Sequence, residues 1–128
     1  MSDHKPAQAI TLTLNPKHWV TSNHRLHRME EARRTAHIRH AAGWLARKHM
    51  TPMSGPVRVV ATIHMPTRRR FDPPNAEPVL KAAVDGIVDA EILADDSAEH
   101  VHEWAFRPGP PTGETGVYRL TIEIEETT

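Results

Sequence analysis

The sequence contains no cysteine, so disulfides and thiolate metal sites are excluded, and any metal ion must be held by oxygen or imidazole ligands. Chains without cysteine are typical of reducing compartments, and we expect this protein in the cytoplasm. No apolar run approaches the ~18 residues of a membrane span, and the first residues lack the apolar core of a secretory signal. We therefore expect no membrane partner. The 128 residues predict a single domain, 1–128, large enough to bury a core.

The formal net charge is zero, but the charges are sorted along the chain. The segment from Lys17 to Arg70 holds twelve Lys and Arg against two acids, whereas the segment from Phe71 to the end holds three against thirteen. This distribution fits a protein that contacts a polyanion with one half and binds a cation with the other. Simple attraction between the two halves of the fold is the alternative explanation.

Hydrophobic periodicity predicts the order strand, helix, strand, helix, strand, strand. Alternating apolar residues predict strands at Ile10–Leu14, Val57–Met65, Val101–Phe106 and Tyr118–Ile124. Apolar positions at helical spacing predict helices from about Met29 to Met50 and from about Ala76 to Glu91, the second with Asn75 as its N-cap. We therefore predict an α+β fold, with one mixed β-sheet and two helices packed on it in the order β-α-β-α-β-β.

Acidic residues stand at both ends of the second predicted helix. Asp72 precedes it, and Asp95 and Asp96 follow it, so they could meet if the chain after Leu93 folds back as a strand toward the Asp72 loop. Carboxylates that lie close together repel one another, and a hard divalent cation such as Mg²⁺ relieves this repulsion. Such a metal activates water and stabilises the charge on a reacting phosphate. A turn or a helix cap is the ordinary alternative for the Asp95-Asp96 pair.

Basic residues flank and interrupt this acidic segment. Lys81 lies one helical turn before Asp85, where it could contact a phosphate or stabilise a leaving oxygen. An exposed ion pair between the two is the simpler alternative. Three consecutive arginines, Arg68, Arg69 and Arg70, precede the acids and suit bidentate phosphate contacts, although a solvated loop also accounts for them.

The first predicted helix carries a basic stripe. Its members recur at spacings of four and three residues and are Arg33, His37, His40, Trp44 and Arg47. A basic stripe with one aromatic residue suits a nucleic-acid backbone, and an ordinary solvated helix face is the alternative. Among the histidines, only His37 with His40 and the His100/His102 pair have a spacing that could suit a zinc site, and this is the less favoured alternative.

One stretch of the chain joins these pieces. HMPTRRRFDPPNAEPVLKAAVDGIVDAEILADDSAEHV resembles the RusA family of Holliday-junction resolvases. It shares a strand ending in HMP, an arginine run, an Asp in the following loop, a KAAxD helix and a terminal DD, in that order. The segments ITLTL and SNHR near the start resemble the family's first strand and its SN-containing loop. The resemblance implies a homodimeric, Mg²⁺-dependent endonuclease that nicks four-way junctions symmetrically.

By position, the resemblance implies that Asp72, Lys81 and Asp96 are the catalytic residues. We predict that the metal ligands come from five acids, namely Asp72, Asp96, Asp95, Asp85 and Glu77. We predict that the DNA contacts come from Arg68, Arg69, Arg70, Lys81, Arg33 and Arg47. The expected cofactor is Mg²⁺, with Mn²⁺ as a substitute, and the expected substrate is a Holliday junction or other branched DNA cut by paired nicks.

The chain departs from the family pattern at one point. The family's Asp-x-Asp-Asn arrangement is replaced by Asp72-Pro73-Pro74-Asn75, so Pro74 stands where a second carboxylate is expected. There are also three more residues between Asn75 and Lys81 than that pattern has. Glu77 could supply the missing carboxylate, or Asn75 a neutral oxygen. A non-catalytic protein that binds branched DNA is therefore the alternative prediction.

Overall fold

The computed structural model describes residues 7–22, 26–68 and 70–127. The elements are strand β1 (Gln8–Leu14), helix α1 (Arg28–His49), strand β2 (Val57–His64), a 3-10 turn (Pro73–Ala76), helix α2 (Glu77–Asp89), strand β3 (Val101–Pro108) and strand β4 (Tyr118–Glu126). The protein has an α+β fold with one mixed four-stranded sheet and two helices, so the predicted class and order are confirmed. No helix in these ranges is long and apolar enough to cross a membrane.

The sheet has the strand order β1-β4-β2-β3. Strand β4 runs antiparallel to both β1 and β2, whereas β2 and β3 are parallel. Parallel neighbours need a crossover connection, and α2 lies in the connection between these two strands. Strand β3 therefore forms one edge of the sheet, and the segments that follow β2 and β3 leave the sheet at the same end.

One face of the sheet carries the core. Along β4, Leu120, Ile122 and Ile124 are fully buried, and the residues between them are more exposed. The same alternation runs along β1, because successive side chains of a strand point to opposite faces. The apolar residues of α2 pack into this core. The other face is polar, and there Arg58 of β2 pairs with Glu103 of β3 at 2.7 Å.

Helices α1 and α2 approach each other at two glycines. A Cβ atom on Gly86 would overlap the carbonyl oxygen of Arg39 and lie 2.9 Å from the amide nitrogen of Gly43. The two backbones therefore touch directly, which only glycine allows at this point. Next to this contact, Arg39 Nε of α1 and Asp89 Oδ2 of α2 form an ion pair of 2.6 Å. The hydrogen bond from Arg39 lowers the pKa of the Asp89 carboxyl group.

The predicted N-cap of the second helix is wrong. Asn75 is not its N-cap, because Pro73–Ala76 form a separate 3-10 turn and α2 begins at Glu77 with Ala76 at the N-cap position. The two prolines have a fixed φ that suits this tight turn, and the turn delays the helix. The side-chain oxygen of Asn75 instead accepts a hydrogen bond from Ser22 Oγ at 3.2 Å.

Candidate active site

A lysine and two carboxylates form the centre of the candidate site. Lys81 Nζ on α2 donates to Asp85 Oδ1, one helical turn further along, at 2.8 Å. It also donates to Asp96 Oδ2. The first bond is the i,i+4 pair predicted from the sequence, and the second joins positions fifteen residues apart. The structure therefore brings together three of the predicted site residues.

The segment after α2 carries Asp96 back along the helix. Ile92 and Leu93 are buried in the core, at 3% exposure each, and fix the start of this segment. The amide of Met53 donates to the carbonyl oxygen of Ile92 at 2.8 Å, which ties the segment to the chain before β2. Asp96 then lies beside Lys81 before β3 begins at Val101. The chain after Leu93 therefore folds back as a loop and not as a strand, and it brings Asp96 to Lys81.

The charges of this cluster do not balance. The hydrogen bonds from its ammonium group, first to Asp85 and then to Asp96, raise the pKa of Lys81. The hydrogen bond from Lys81 lowers the pKa of Asp96, against a smaller opposing effect of burial. Both shifts favour the charged forms of Lys81 and Asp96, and the one ammonium group contacts the carboxyl groups of both Asp85 and Asp96. Counted by formal charge, one ammonium against two carboxylates leaves the cluster net negative, which favours a further cation.

The adjacent Asp95 has a local role. Its Oδ1 accepts the backbone amide of Asp96 at 2.8 Å, which shapes the turn that presents Asp96. Asp95 is exposed, whereas Asp96 keeps 21% of its side-chain surface accessible. Asp95 therefore lies next to the cluster and orders the turn that carries Asp96.

Asp72 lies at the other end of the predicted site. It is exposed at the start of the 3-10 turn, where its backbone oxygen accepts the amide of Asn75 at 2.9 Å and its side chain makes no capping bond. The structure shows no bond between Asp72 and the Lys81 cluster. Within residues 7–22, 26–68 and 70–127 no three His, Asp or Glu side chains converge closely enough to hold a metal ion. The joint metal site of Asp72 and Asp96 stays a prediction.

The two candidates for the missing carboxylate are placed differently. Asn75 is occupied by the SN-containing loop, since its backbone oxygen accepts the amide of Ser22 at 3.0 Å and its side chain accepts the Ser22 hydroxyl. Glu77 lies one turn before Lys81, and both residues line a cavity beside α2. Glu77 is therefore the acid that the structure places on the Lys81 side of α2.

This cavity was not predicted from the sequence. It has a volume of about 200 Å³ between α2 and the edge strand β3, and its lining residues are Glu77, Leu80, Lys81, Trp104 and Phe106. Trp104 is one of the large apolar residues that remain exposed, at 37%. The spacing of Trp104 and Phe106, two residues apart in a predicted strand, was the signal for an aromatic pair on one face of that strand.

The arginine run borders a second depression. Arg68 and Arg70 are exposed, and Arg69 lies outside the described residues. Arg68 lines a cavity of about 260 Å³ together with Phe71, Pro73 and the proline-rich segment after β3. This position is at the end of the sheet where the parallel strands β2 and β3 terminate, which is where ligands commonly bind in sheets of this kind.

The basic stripe of α1 is exposed along its length. Arg33 is paired with Glu30 at 2.9 Å, and Arg47 donates to the backbone oxygen of Asp89 at 3.4 Å. Trp44 is 59% exposed, and the Lys48 ammonium lies 4.9 Å from its ring centroid. These residues form a solvent-facing cationic surface, although Arg33 and Arg47 already have partners within the fold.

Comparisons with known proteins leave the family open. No family model matches the chain, and no curated protein matches it. A crystal structure of hydrogenase maturation protein HypE in complex with ATP aligns with it at a TM-score of 0.31 and 11% sequence identity, over 100% of this chain and 32% of that one. The chain thus spans about a third of that protein's length. So low a score carries no argument, and membership of the RusA family stays a prediction.

Proposed function

We propose that this protein is a Mg²⁺-dependent, structure-selective DNA endonuclease of the RusA type, which resolves Holliday junctions or other branched DNA by paired nicks. The observation that carries the proposal is the convergence of Asp85 and Asp96 on one cation, the Lys81 ammonium. These are positions at which the resemblance to the RusA family implies site residues. The fold supports the proposal because it brings Lys81 and Asp96, which are fifteen residues apart in sequence, into contact.

The donor set suits the metal that the resemblance implies. Mg²⁺ prefers oxygen ligands and is commonly held by one or two carboxylates together with the phosphates of its substrate. Asp85 and Asp96 would provide these carboxylates. Further oxygen donors are Asp95, beside Asp96, Glu77, one turn before Lys81, and Asp72, in the loop before α2. When bound, the metal would supply an activated water and neutralise charge on the scissile phosphate. Mn²⁺ prefers the same kinds of ligand and would be expected to replace it.

Lys81 has a second role in this proposal. Its ammonium neutralises part of the acid pair when the protein is free, and its long flexible side chain can donate to a phosphate oxygen when DNA binds. A DNA phosphate would otherwise be repelled by the cluster's negative charge. Arg68 and Arg70, exposed at the same end as the loop of Asp72, would hold the adjoining backbone.

Paired nicks require two active sites in a fixed relation. A homodimer with a two-fold axis would place one site against each of the two strands to be cut. The dimer is therefore part of the proposal, and a measured mass of twice 14.4 kDa in solution is its first requirement.

One observation favours the alternative of a non-catalytic branched-DNA-binding protein. Pro74 stands where the family pattern has a carboxylate, and the described part of the chain contains no convergent group of three acids or histidines. Such a protein would keep the exposed basic surface and bind junctions without cutting them.

A nicking assay on an end-labelled four-way junction distinguishes the two functions. We expect cleavage that requires Mg²⁺ or Mn²⁺, and Asp96→Asn or Asp72→Asn should lower its rate by about 100-fold or more, as the loss of one charge-stabilising group commonly does. Asp89→Asn is the matched control, because Asp89 is an acid of the same segment, at the end of α2, but pairs with Arg39. Tight junction binding without cleavage at any concentration of either metal supports the binding protein. Binding that does not weaken as salt rises contradicts both, because phosphate contacts depend on salt.

A further inference from the structure

The cavity beside Lys81 has an aromatic wall with a defined origin. β3 pairs with β2 so that Trp104 is opposite Val59 and Phe106 is opposite Ala61. Val59 and Ala61 are core residues, so Trp104 and Phe106 point to the helix-covered face of the sheet. Because β3 is an edge strand, this wall is only partly covered, and Trp104 remains 37% exposed.

The remaining walls of the cavity differ in chemistry. Leu80 of α2, which is 1% exposed, forms the apolar floor with the two aromatic rings. Glu77 and Lys81, one helical turn apart, form a charged rim on the α2 side. Trp104 lines the cavity and keeps 37% of its surface exposed, and no ring-to-ring contact within the described residues involves it. The cavity therefore combines an exposed flat apolar surface with a cation at its edge.

We propose that this cavity binds one unpaired nucleobase, stacked against Trp104 and Phe106, next to the phosphate that Lys81 contacts. The inference rests on the proposed function, since it assigns a base-binding subsite to the same nucleic acid. A volume of about 200 Å³ is small for a pocket that encloses a whole organic ligand, and it suits a single ring system that enters from the side.

The chemistry of a nucleotide matches the layout of the cavity. A base has an apolar face for stacking and polar groups at its edge, and its own phosphate lies a few bonds away. The aromatic wall would take the face, the Glu77 carboxylate would accept hydrogen bonds from donors on the edge, and Lys81 would face the phosphate. A branch point supplies such a base cheaply, because a base that is already unstacked costs least to extrude.

Short oligonucleotides test the subsite without requiring cleavage. The protein with Trp44→Phe, which removes the other exposed indole, is titrated with a single-stranded tetranucleotide while tryptophan fluorescence is recorded. The fully abasic analogue has the same phosphates and no bases. We expect saturable quenching by the tetranucleotide, with binding about 5- to 100-fold tighter than that of the abasic chain, as stacking on one or two aromatic side chains commonly gives.

Two variants confirm the location. Trp104→Ala removes the reporting indole, so its binding is followed by the fluorescence anisotropy of labelled oligonucleotides, and it should largely remove the difference between them. Phe106→Leu, which keeps an apolar side chain, should reduce the difference. Three results would overturn the proposal. They are equal affinity of the Trp44→Phe protein for both oligonucleotides, no binding of either, and a difference that survives in folded Trp104→Ala. Base-dependent binding in a protein that never nicks a junction would leave the subsite standing and refute the endonuclease, whereas nicking without base-dependent binding would do the reverse.

Discussion

The contact between the two helices gives the sharpest prediction for stability. Gly86→Ala places a Cβ atom against the carbonyl oxygen of Arg39 and at 2.9 Å from the amide nitrogen of Gly43. Both obstacles are backbone atoms, so no side chain can turn away and the helices must separate. Separation would also stretch the Arg39–Asp89 ion pair beside the contact, which is 2.6 Å long.

Two opposing effects set the size of the change. Alanine is a better helix former than glycine by about 1 kcal/mol, which alone would stabilise α2. Overfilling a packed interior costs about 1–3 kcal/mol, and obstacles in the backbone lie at the upper end or beyond. We expect a net loss of about 2 kcal/mol in the free energy of unfolding, and a melting temperature lower by roughly 6–10 °C for a chain of this size.

Urea denaturation followed by circular dichroism measures this loss. With a typical urea slope, about 2 kcal/mol moves the midpoint down by roughly 1 M. Gly43→Ala is the graded control, since its Cβ atom would lie 3.1 Å from the oxygen of Gly86 and needs only a small adjustment. If Gly86→Ala is as stable as the parent, or more stable, the gain in helix propensity outweighs the steric overlap, and the backbones of α1 and α2 do not touch at Gly86.

Two further predictions concern the charged groups. The pKa of Asp96 is lowered by Lys81, so the ionised Asp96 stabilises the fold above its ordinary pKa of 3.8, and this contribution is lost as the pH falls through the lower pKa of the folded state. Asp96→Asn should therefore be less stable than the parent by up to about 1 kcal/mol at pH 7, a small value because the ion pair is partly solvated. Thermal unfolding scans at a series of pH values should show this difference vanish once Asp96 is protonated in the folded parent protein. A constant difference at all pH values would contradict this. Arg68→Ala should weaken junction binding and reduce the slope of log K against log salt by about 0.9, the value for one phosphate contact, in anisotropy titrations; an unchanged slope would show that Arg68 contacts no phosphate.

The strands and helices could be predicted because their patterns are local. Along β4 the alternation of Leu120, Ile122 and Ile124 with polar residues gives both the strand and its buried face. The four-residue spacing of Lys81 and Asp85 gives their contact, since such positions adjoin on any α-helix. The N-cap of α2 could not be predicted in this way, because the Pro73-Pro74 pair favours a 3-10 turn and Asn75 binds Ser22, which is distant in sequence.

The centre of the candidate site depends on tertiary structure. The contact between Asp96 and Lys81 requires that Ile92 and Leu93 bury themselves in the core, and that burial depends on how the whole sheet and both helices pack. The charges, the positions and the resemblance singled out these residues in the sequence, but their contact could not be derived from their spacing. The sequence did not indicate the cavity at Trp104, because an alternating aromatic pair looks the same in a covered strand and at an open edge.

A bulge in β3 decides which way its aromatic residues point. Val57 pairs with Val101 and Arg58 pairs with Glu103, so His102 is an extra residue without a partner of its own. If β3 instead paired regularly through His102, Val101 and Trp104 would fall on opposite faces, because a strand alternates with every residue. Deleting His102 would remove the bulge and leave Val101, Trp104 and Phe106 together on the face that the helices cover. The aromatic wall of the candidate cavity therefore depends on the position of the bulge, which the alternation of the residues alone does not reveal.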